Sequence, residues 1–489
     1  MSEELPRGWV AVQLKDVVSF NPKHDKSVSP QTLVSFVPMA AINEETGSIM
    51  GHTERPLAEV SRGYTHFADG DVLFAKITPC MENGKAAIAR GLTNGRGCGS
   101  TEFFVLRPNG AFVPEYLWHF VRQAAFREEA RQVMSGAVGQ QRVPLSFLQD
   151  YALPLPPLAE QRRIVARIEA LFARTRQART DLLRIAPLAA RHRLALLRAA
   201  LRGELTADWR TRARGVEPAA SLIARTPAPA QPRGGREATD EVIPGVAALS
   251  VNHPQTEPPP GWAWVPLLRI ARQETGHTPS RNVGAYWNGD IPWIGIRDAA
   301  AHHGGVIQDT AQHVTQAGLD NSSARLLPAQ TVCLSRTASV GYVVVMGRPM
   351  ATSQDFVTWT CSPALLPDFL KYALLAEGDD IRRFGKGSTH TTIYFPEIRA
   401  LHICLPPLAE QREVVRILDQ ALPATGTAGH DAARALTLLD HLERSILARA
   451  FRGELVPQDQ NDEPANALLA RLRADATAPV RRGRPRRVA

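Results

Sequence analysis

Long apolar runs are missing from the 489 residues. Nothing approaches the roughly 20 consecutive apolar residues that cross a bilayer as a helix. The opening MSEELPRGW has no basic segment followed by an apolar core, so no secretory leader is expected. Cysteine is scarce and scattered: Cys80, Cys98, Cys333, Cys361 and Cys404, with no CxxC pair. That argues against a disulfide framework or a zinc ribbon and fits a reducing cytoplasm. Sequence patterns that carry chemistry are missing too. No GxxxxGK[ST] loop is present to cradle nucleotide phosphates, and Gly95-Arg-Gly-Cys-Gly99 lacks the GxGxxG spacing. Asn21-Pro-Lys-His24 lacks the second proline and the aromatic of an amino-methyltransferase motif, so a self-sufficient methyltransferase is not expected. Asp368 and Glu377 are not followed by the ExK of a nuclease, and His302-His303 stands alone in a Gly/Ala-rich stretch. No catalytic residue and no metal site is expected in this chain.

What is present is a repeat. Leu155-Pro-Pro-Leu-Ala-Glu-Gln-Arg162 recurs as Leu405-Pro-Pro-Leu-Ala-Glu-Gln-Arg412, and Arg202-Gly-Glu-Leu205 recurs as Arg452-Gly-Glu-Leu455. Equal spacing between the two motifs marks one duplicated element. The proline pair suits a helix entry and the glycine a left-handed helix stop. Between them, apolar or small residues recur at steps of four and three, the seam of a coiled coil. Ile164, Ile168, Leu171, Leu182, Ile185 and Leu196 lie on the first seam; Val414, Leu418, Leu439, Leu442 and Ile446 lie on the second. At about 1.5 Å per residue each helix would reach roughly 65–70 Å.

The two helices most simply bury these seams against each other. Residues 159–204 carry eleven Arg against four acidic residues, while 409–454 carry six Arg against seven acidic residues, so pairing tempers the basic helix. Pro187 interrupts the first pattern; Pro423, Gly426 and Gly429 interrupt the second. An antiparallel pair in which residue i faces about 611 − i sets Pro187 opposite residue 424 and predicts a shared kink.

Each helix follows a globular stretch with strand and helix signals. Gly70-Asp-Val-Leu-Phe-Ala-Lys76 and Gln330-Thr-Val-Cys-Leu-Ser-Arg336 are apolar runs ending in a basic residue, Val343–Met346 is a further strand candidate, and 114–134 and 367–384 read as helices. The expected fold class is α+β: two globular α/β domains, 1–154 and 259–404, and two long helices, 155–206 and 405–456, that form an antiparallel coiled coil. Residues 207–258 read as a Pro/Ala/Gly-rich flexible linker, and 457–489 as a short helix with a basic disordered tail.

The doubled LPPLAEQR, the doubled RGEL and the run from Thr275 to Ile294, TGHTPSRNVGAYWNGDIPWI, resemble the specificity subunits of type I restriction–modification systems. The likeness covers nearly the whole chain except the linker and the tail. It implies two target-recognition domains that each read half of a split site in double-stranded DNA, with the paired helices as spacer. It further implies two methyltransferase and two restriction subunits as partners, with S-adenosylmethionine, ATP and Mg on those partners and no cofactor in this chain. Because the two domains differ in sequence, an asymmetric bipartite target is expected. A type IIB-like partner set is a rival reading, as is a coiled-coil adapter that binds only proteins. Net charge is +9, which suits a polyanionic partner only weakly by itself. Candidate DNA contacts are Lys76, Lys85, Gln140, Gln141, Arg142, Arg336, Arg348, Thr389, His390 and Thr391. Gln and Arg suit bidentate bonds to base edges, and the small hydroxyls suit phosphates or bases.

Overall fold

The computed structural model describes residues 5–477 except 25, 138, 233–235, 338 and 388–390. The chain divides into two compact units, one of residues 1–182 with 433–489 and one of residues 183–432. In the first unit, Val10–Gln13 pairs antiparallel with Ala152–Leu155. A four-stranded antiparallel sheet runs in the order Val18–Phe20, Phe103–Pro108, Val72–Ala75, Ala86–Ile88. A second four-stranded sheet runs Thr53–Pro56, Leu33–Val37, Arg96–Gly99, Thr65–Ala68. The expected helix over 114–134 is two helices, Pro114–Val121 and Ala124–Gln132. The main core gathers Phe74, Leu106, Tyr116, Phe120 and Phe126 with Ile164 and Ile168.

The second unit repeats this plan with other side chains. Ala263–Pro266 pairs antiparallel with Leu401–Leu405, as Val10–Gln13 does with Ala152–Leu155. Its larger sheet runs Ala271–Thr275, Phe356–Cys361, Val332–Ser335, Val343–Met346, Val306–Ile307. Helix Pro367–Glu377 packs beneath it and continues as a 3-10 turn, Gly378–Phe384. The presumed linker is built into this unit. Leu249–Val251 is buried and pairs with Leu401–Ile403, and Ile243–Pro244 pairs with Leu249–Val251 in turn. The Gln231 amide donates to the carbonyls of Leu268 and Ala271, both at 2.9 Å. Ala-, Leu- and Val-rich stretches in 207–258 supply apolar residues that the sheet absorbs, which a Pro/Gly count overlooks. A final helix spans Ala465–Thr477; the basic stretch Pro479–Arg487 lies outside the described residues.

The long helices are Leu158–Leu201 and Leu408–Phe451, each of 44 residues and each continuous through its proline. Pro187 and Pro423 each remove one main-chain bond, to the carbonyl four residues earlier. Those carbonyls belong to Leu183 and Asp419, both on exposed positions, open to solvent in place of the lost donor. The residues 423–429 that interrupt the second apolar pattern thus lie within one helix.

The pairing is antiparallel but its register differs from the expected one. In the first unit Thr175 Oγ1 donates to Glu443 Oε1 at 2.6 Å and Arg179 bonds Asp440 Oδ1 at 2.6 Å. Residue i thus faces about 618 − i, and the same register carried along the helix sets Pro187 opposite about residue 431. The reason lies past the glycine stop. Gln458 reaches Glu160 at 3.1 Å and Asp462 pairs with Arg163 at 2.6 Å. The start of the first helix is thereby matched to the segment after the second helix rather than to its end.

Ile164, Ile168, Val414, Leu418 and Ile446 are buried; Leu171, Leu182, Ile185, Leu196 and Leu439 are half-buried. Leu442 is 48% exposed, and the inward face there is taken by Glu443 and Ile446. In the first copy the buried face has likewise moved to Leu197, Ala200 and Leu201. A straight helix at 3.6 residues per turn drifts from a 3.5-residue seam by about 20° per heptad, so a seam read from one end misses residues near the other.

Candidate nucleic-acid interface

The duplicated motifs build a scaffold for the two globular regions. Gln161 is fully buried: its amide donates to the carbonyls of Ala111 (2.9 Å) and Pro156 (3.1 Å), and its oxygen accepts from the Val113 N–H at 2.9 Å. Gln411 makes the same three bonds to Ala364, Pro406 and Leu366, at 2.9, 3.0 and 2.9 Å. Each glutamine ties a long-helix start to the loop that enters the recognition-domain helix. The preceding glutamates are buried as well. Glu160 accepts from Trp9 Nε1 at 3.0 Å, and Glu410 accepts from Thr206 Oγ1 (2.7 Å) and Arg210 Nη2 (2.6 Å). Burial holds Glu160 above its ordinary pKa, against the bonds it accepts from Gln458 and Trp9. The helix stops need glycine. Gly203 and Gly453 have φ of +75° and +74°, and a Cβ on either would lie 2.5 Å from a neighbouring atom, Arg210 Nη2 or Pro6 Cγ. The buried glutamate and glutamine of LAEQR and the glycine of RGEL thus act as joints.

On that scaffold each unit sets a basic residue at the end of a central strand beside a loop. In the first unit Lys76 follows the strand Val72–Ala75. Its N–H donates to the Glu102 carbonyl and its carbonyl accepts from Val143 N–H, both at 2.9 Å. In the second unit Arg336 follows Val332–Ser335. Its N–H donates to the Asp355 carbonyl at 2.8 Å and its carbonyl accepts from Ile393 N–H at 2.9 Å. The two frames match bond for bond while the side chains differ. Lys76 and Arg336 each lie over an aromatic ring, Phe104 at 5.0 Å and Phe395 at 4.5 Å.

This arrangement brings Lys76 together with the loop of Gln140, Gln141 and Arg142, and Arg336 with the loop that contains Thr391. Gln140 is exposed and Gln141 half-buried. Arg142 is engaged within the unit: its guanidinium holds Glu102 through two bonds of 2.8 and 2.9 Å. That contact lowers the Glu102 pKa below the usual carboxylate range, with Lys76 adding to it. Arg142 is held in place with its edge bonded to a carboxylate, so a base contact from it requires release from Glu102. Burial lowers the Arg336 pKa, and its Nη2 donates to the Gln354 carbonyl at 3.1 Å. Beside Arg336 a cavity of about 490 Å³ is lined by Arg325, Arg399, Gln273 and Gln354. Lys85 neighbours the Lys76 frame, its carbonyl accepting from the Ala75 N–H at 3.1 Å, and its ammonium pairs with Glu44 at 3.9 Å; Arg348 pairs with Asp309 at 2.9 Å. Thr389 and His390 lie outside the described residues. Glu102 and Asp355 were missed, although a signal exists: Ser100-Thr-Glu-Phe103 echoes Ser353-Gln-Asp-Phe356.

Residues 6–183 and 259–425 match the family model described as the type I restriction modification DNA specificity domain. The chain belongs to the type I restriction–modification specificity family. Two of the most similar curated relatives are the type I restriction enzyme EcoEI and EcoAI specificity subunits of Escherichia coli. They are 40% identical over 170 residues and 41% identical over 171 residues, which is 35% of this chain in each case. Those matches span under a third of each relative's length, 28% and 29%. The EcoKI specificity subunit of Escherichia coli strain K12 is 24% identical over 76% of this chain and 74% of its own length. Two solved structures share the fold of this specificity subunit. The HsdS subunit from Thermoanaerobacter tengcongensis has a TM-score of 0.60 at 23% identity, covering 93% of this chain and 99% of the other. A chain from a study of complex assembly and conformational transition of the type I restriction–modification system has 0.62 at 24% identity, covering 92% and 100%. No described helix is long and apolar enough to cross a membrane.

Proposed function

We propose that this specificity subunit reads a bipartite, non-palindromic DNA site, one half with each recognition region, and that it is itself non-catalytic. The carrying observation is the matched main-chain frame, Lys76–Glu102–Val143 and Arg336–Asp355–Ile393, which presents different residues in the two units. One frame with two sets of side chains suits two related surfaces that read unlike sequences. Phosphate contacts would supply affinity and register, and base-edge contacts from the loops would supply sequence. The partners in this reading are two methyltransferase and two restriction subunits, which bring S-adenosylmethionine, ATP and Mg. The test is binding selection from a random duplex library by the complex of this chain with its methyltransferase partners. Gln140→Ala with Gln141→Ala should relax preference in one half-site and leave the other half unchanged. Equal loss on every sequence, or no change in either half, contradicts the reading.

A further inference from the structure

Away from the Lys76 frame, three donors from three distant segments converge in the first unit. They are His24 on the loop after Val18–Phe20, His66 on the strand Thr65–Ala68, and Cys98 on the strand Arg96–Gly99. One ligand atom from each lies within 4.8 Å of the other two. His24 Nε2 is 3.8 Å from Cys98 Sγ, and the two imidazole centroids are 4.7 Å apart. In a tetrahedral zinc site with Zn–N of about 2.0 Å and Zn–S of about 2.3 Å, ligand atoms stand roughly 3.3–3.6 Å apart. The cluster therefore needs only a small contraction.

The ring of His66 is already oriented. Its Nε2 lies 2.9 Å from the Ser61 carbonyl and donates to it, which leaves a lone pair on Nδ1. That nitrogen now accepts from the His24 main-chain N–H at 3.3 Å, a long bond. A ring N–H held by a carbonyl is the outer contact that fixes the tautomer of metal-binding histidines. His66 and Cys98 are buried, at 8% and 0% exposure, and His24 is half-buried. His24 Nε2 also contacts the Gly97 carbonyl at 3.0 Å, a bond it would exchange for the metal. Two imidazoles and one thiolate select zinc-like ions over Mg or Ca, which prefer oxygen. No comparable His, Cys and carboxylate cluster occurs among the described residues of the second unit.

We propose that His24, His66 and Cys98 bind one Zn²⁺, which pins the loop of residues 21–24 to the sheet of the first recognition region. The ligands are spread over 74 residues in single positions, so no spacing motif announces them. This proposal does not depend on the DNA-reading assignment. The test uses the untagged full-length chain, purified without chelator, with metal content by mass spectrometry and Co²⁺ as a spectroscopic probe. The expected results are close to one zinc per chain and a thiolate-to-cobalt charge-transfer band. His24→Gln should weaken zinc binding by at least about tenfold, as ligand-shell losses do, and Cys98→Ser should abolish the cobalt band. Cys333→Ala, at a buried thiol outside the cluster, should change neither. If Cys98→Ser fails to fold, His24→Gln decides, because its side chain is half-exposed on a loop. A wild-type chain that takes up no zinc overturns the proposal, as does zinc binding unaltered by His24→Gln.

Discussion

Gln161 and Gln411 show how much a single buried amide holds. Replacing Gln161 by Ala leaves the Val113 N–H and two carbonyls without partners inside the protein, and each unsatisfied buried group costs about 1–3 kcal/mol. Urea unfolding followed by fluorescence should show the first unit losing at least that much, with the same loss in the second unit for Gln411→Ala. By contrast, Arg179→Ala removes a half-exposed pair with Asp440 and should cost under about 1 kcal/mol. Glu377 offers a pH test. It is fully buried, accepts from the Val246 N–H at 2.9 Å, and burial raises its pKa from 4.5 to about 7. A carboxyl raised on folding favours the native state most below its unfolded pKa, and that contribution is lost as pH rises through the folded value. Wild type should therefore lose stability between about pH 5 and about pH 8 relative to Glu377→Gln, which carries no titrating group there. Parallel melting curves for the two proteins would contradict this.

At the scale of elements, the long helices were legible because proline entry, glycine stop and heptad spacing all agree, and each helix indeed runs unbroken for 44 residues. Their register was not legible. It depends on Gln458 and Asp462, which lie past the stop and carry no periodic signal. Leu442 was misplaced for a related reason, since the seam drifts along a straight helix. The strands at 249–251 were hidden because a short buried strand beside prolines looks like linker until a partner strand is known. His24, His66 and Cys98 were invisible as a group because tertiary structure alone brings them together. The helix length itself yields a prediction. Removing one heptad from each long helix shortens the pair by about 10 Å, some three base pairs at 3.4 Å each. The spacer of the recognised sequence should contract by that amount while both half-sites persist. Selection of the original spacing by such a variant would contradict a spacer role.

For the molecule as a whole, duplication with divergence is the organising fact. Two units share strand pairing, helix entry and buried Glu–Gln joints, while the residues on the matched frames differ. Sequence alone revealed the repeated motifs, whose glutamines are constrained by matching hydrogen bonds. It concealed the likeness of the recognition regions, where the shared feature is main-chain bonding that many side chains satisfy. The central claim is that this chain dictates a split target with two unlike halves. The most direct measurement is in vitro methylation of genomic DNA by the chain reconstituted with its methyltransferase partners, read by single-molecule sequencing. The account predicts methyladenine in one asymmetric motif interrupted by a fixed unspecified spacer. Methylation at a continuous or palindromic motif, or the same motif when this chain is left out, would contradict it.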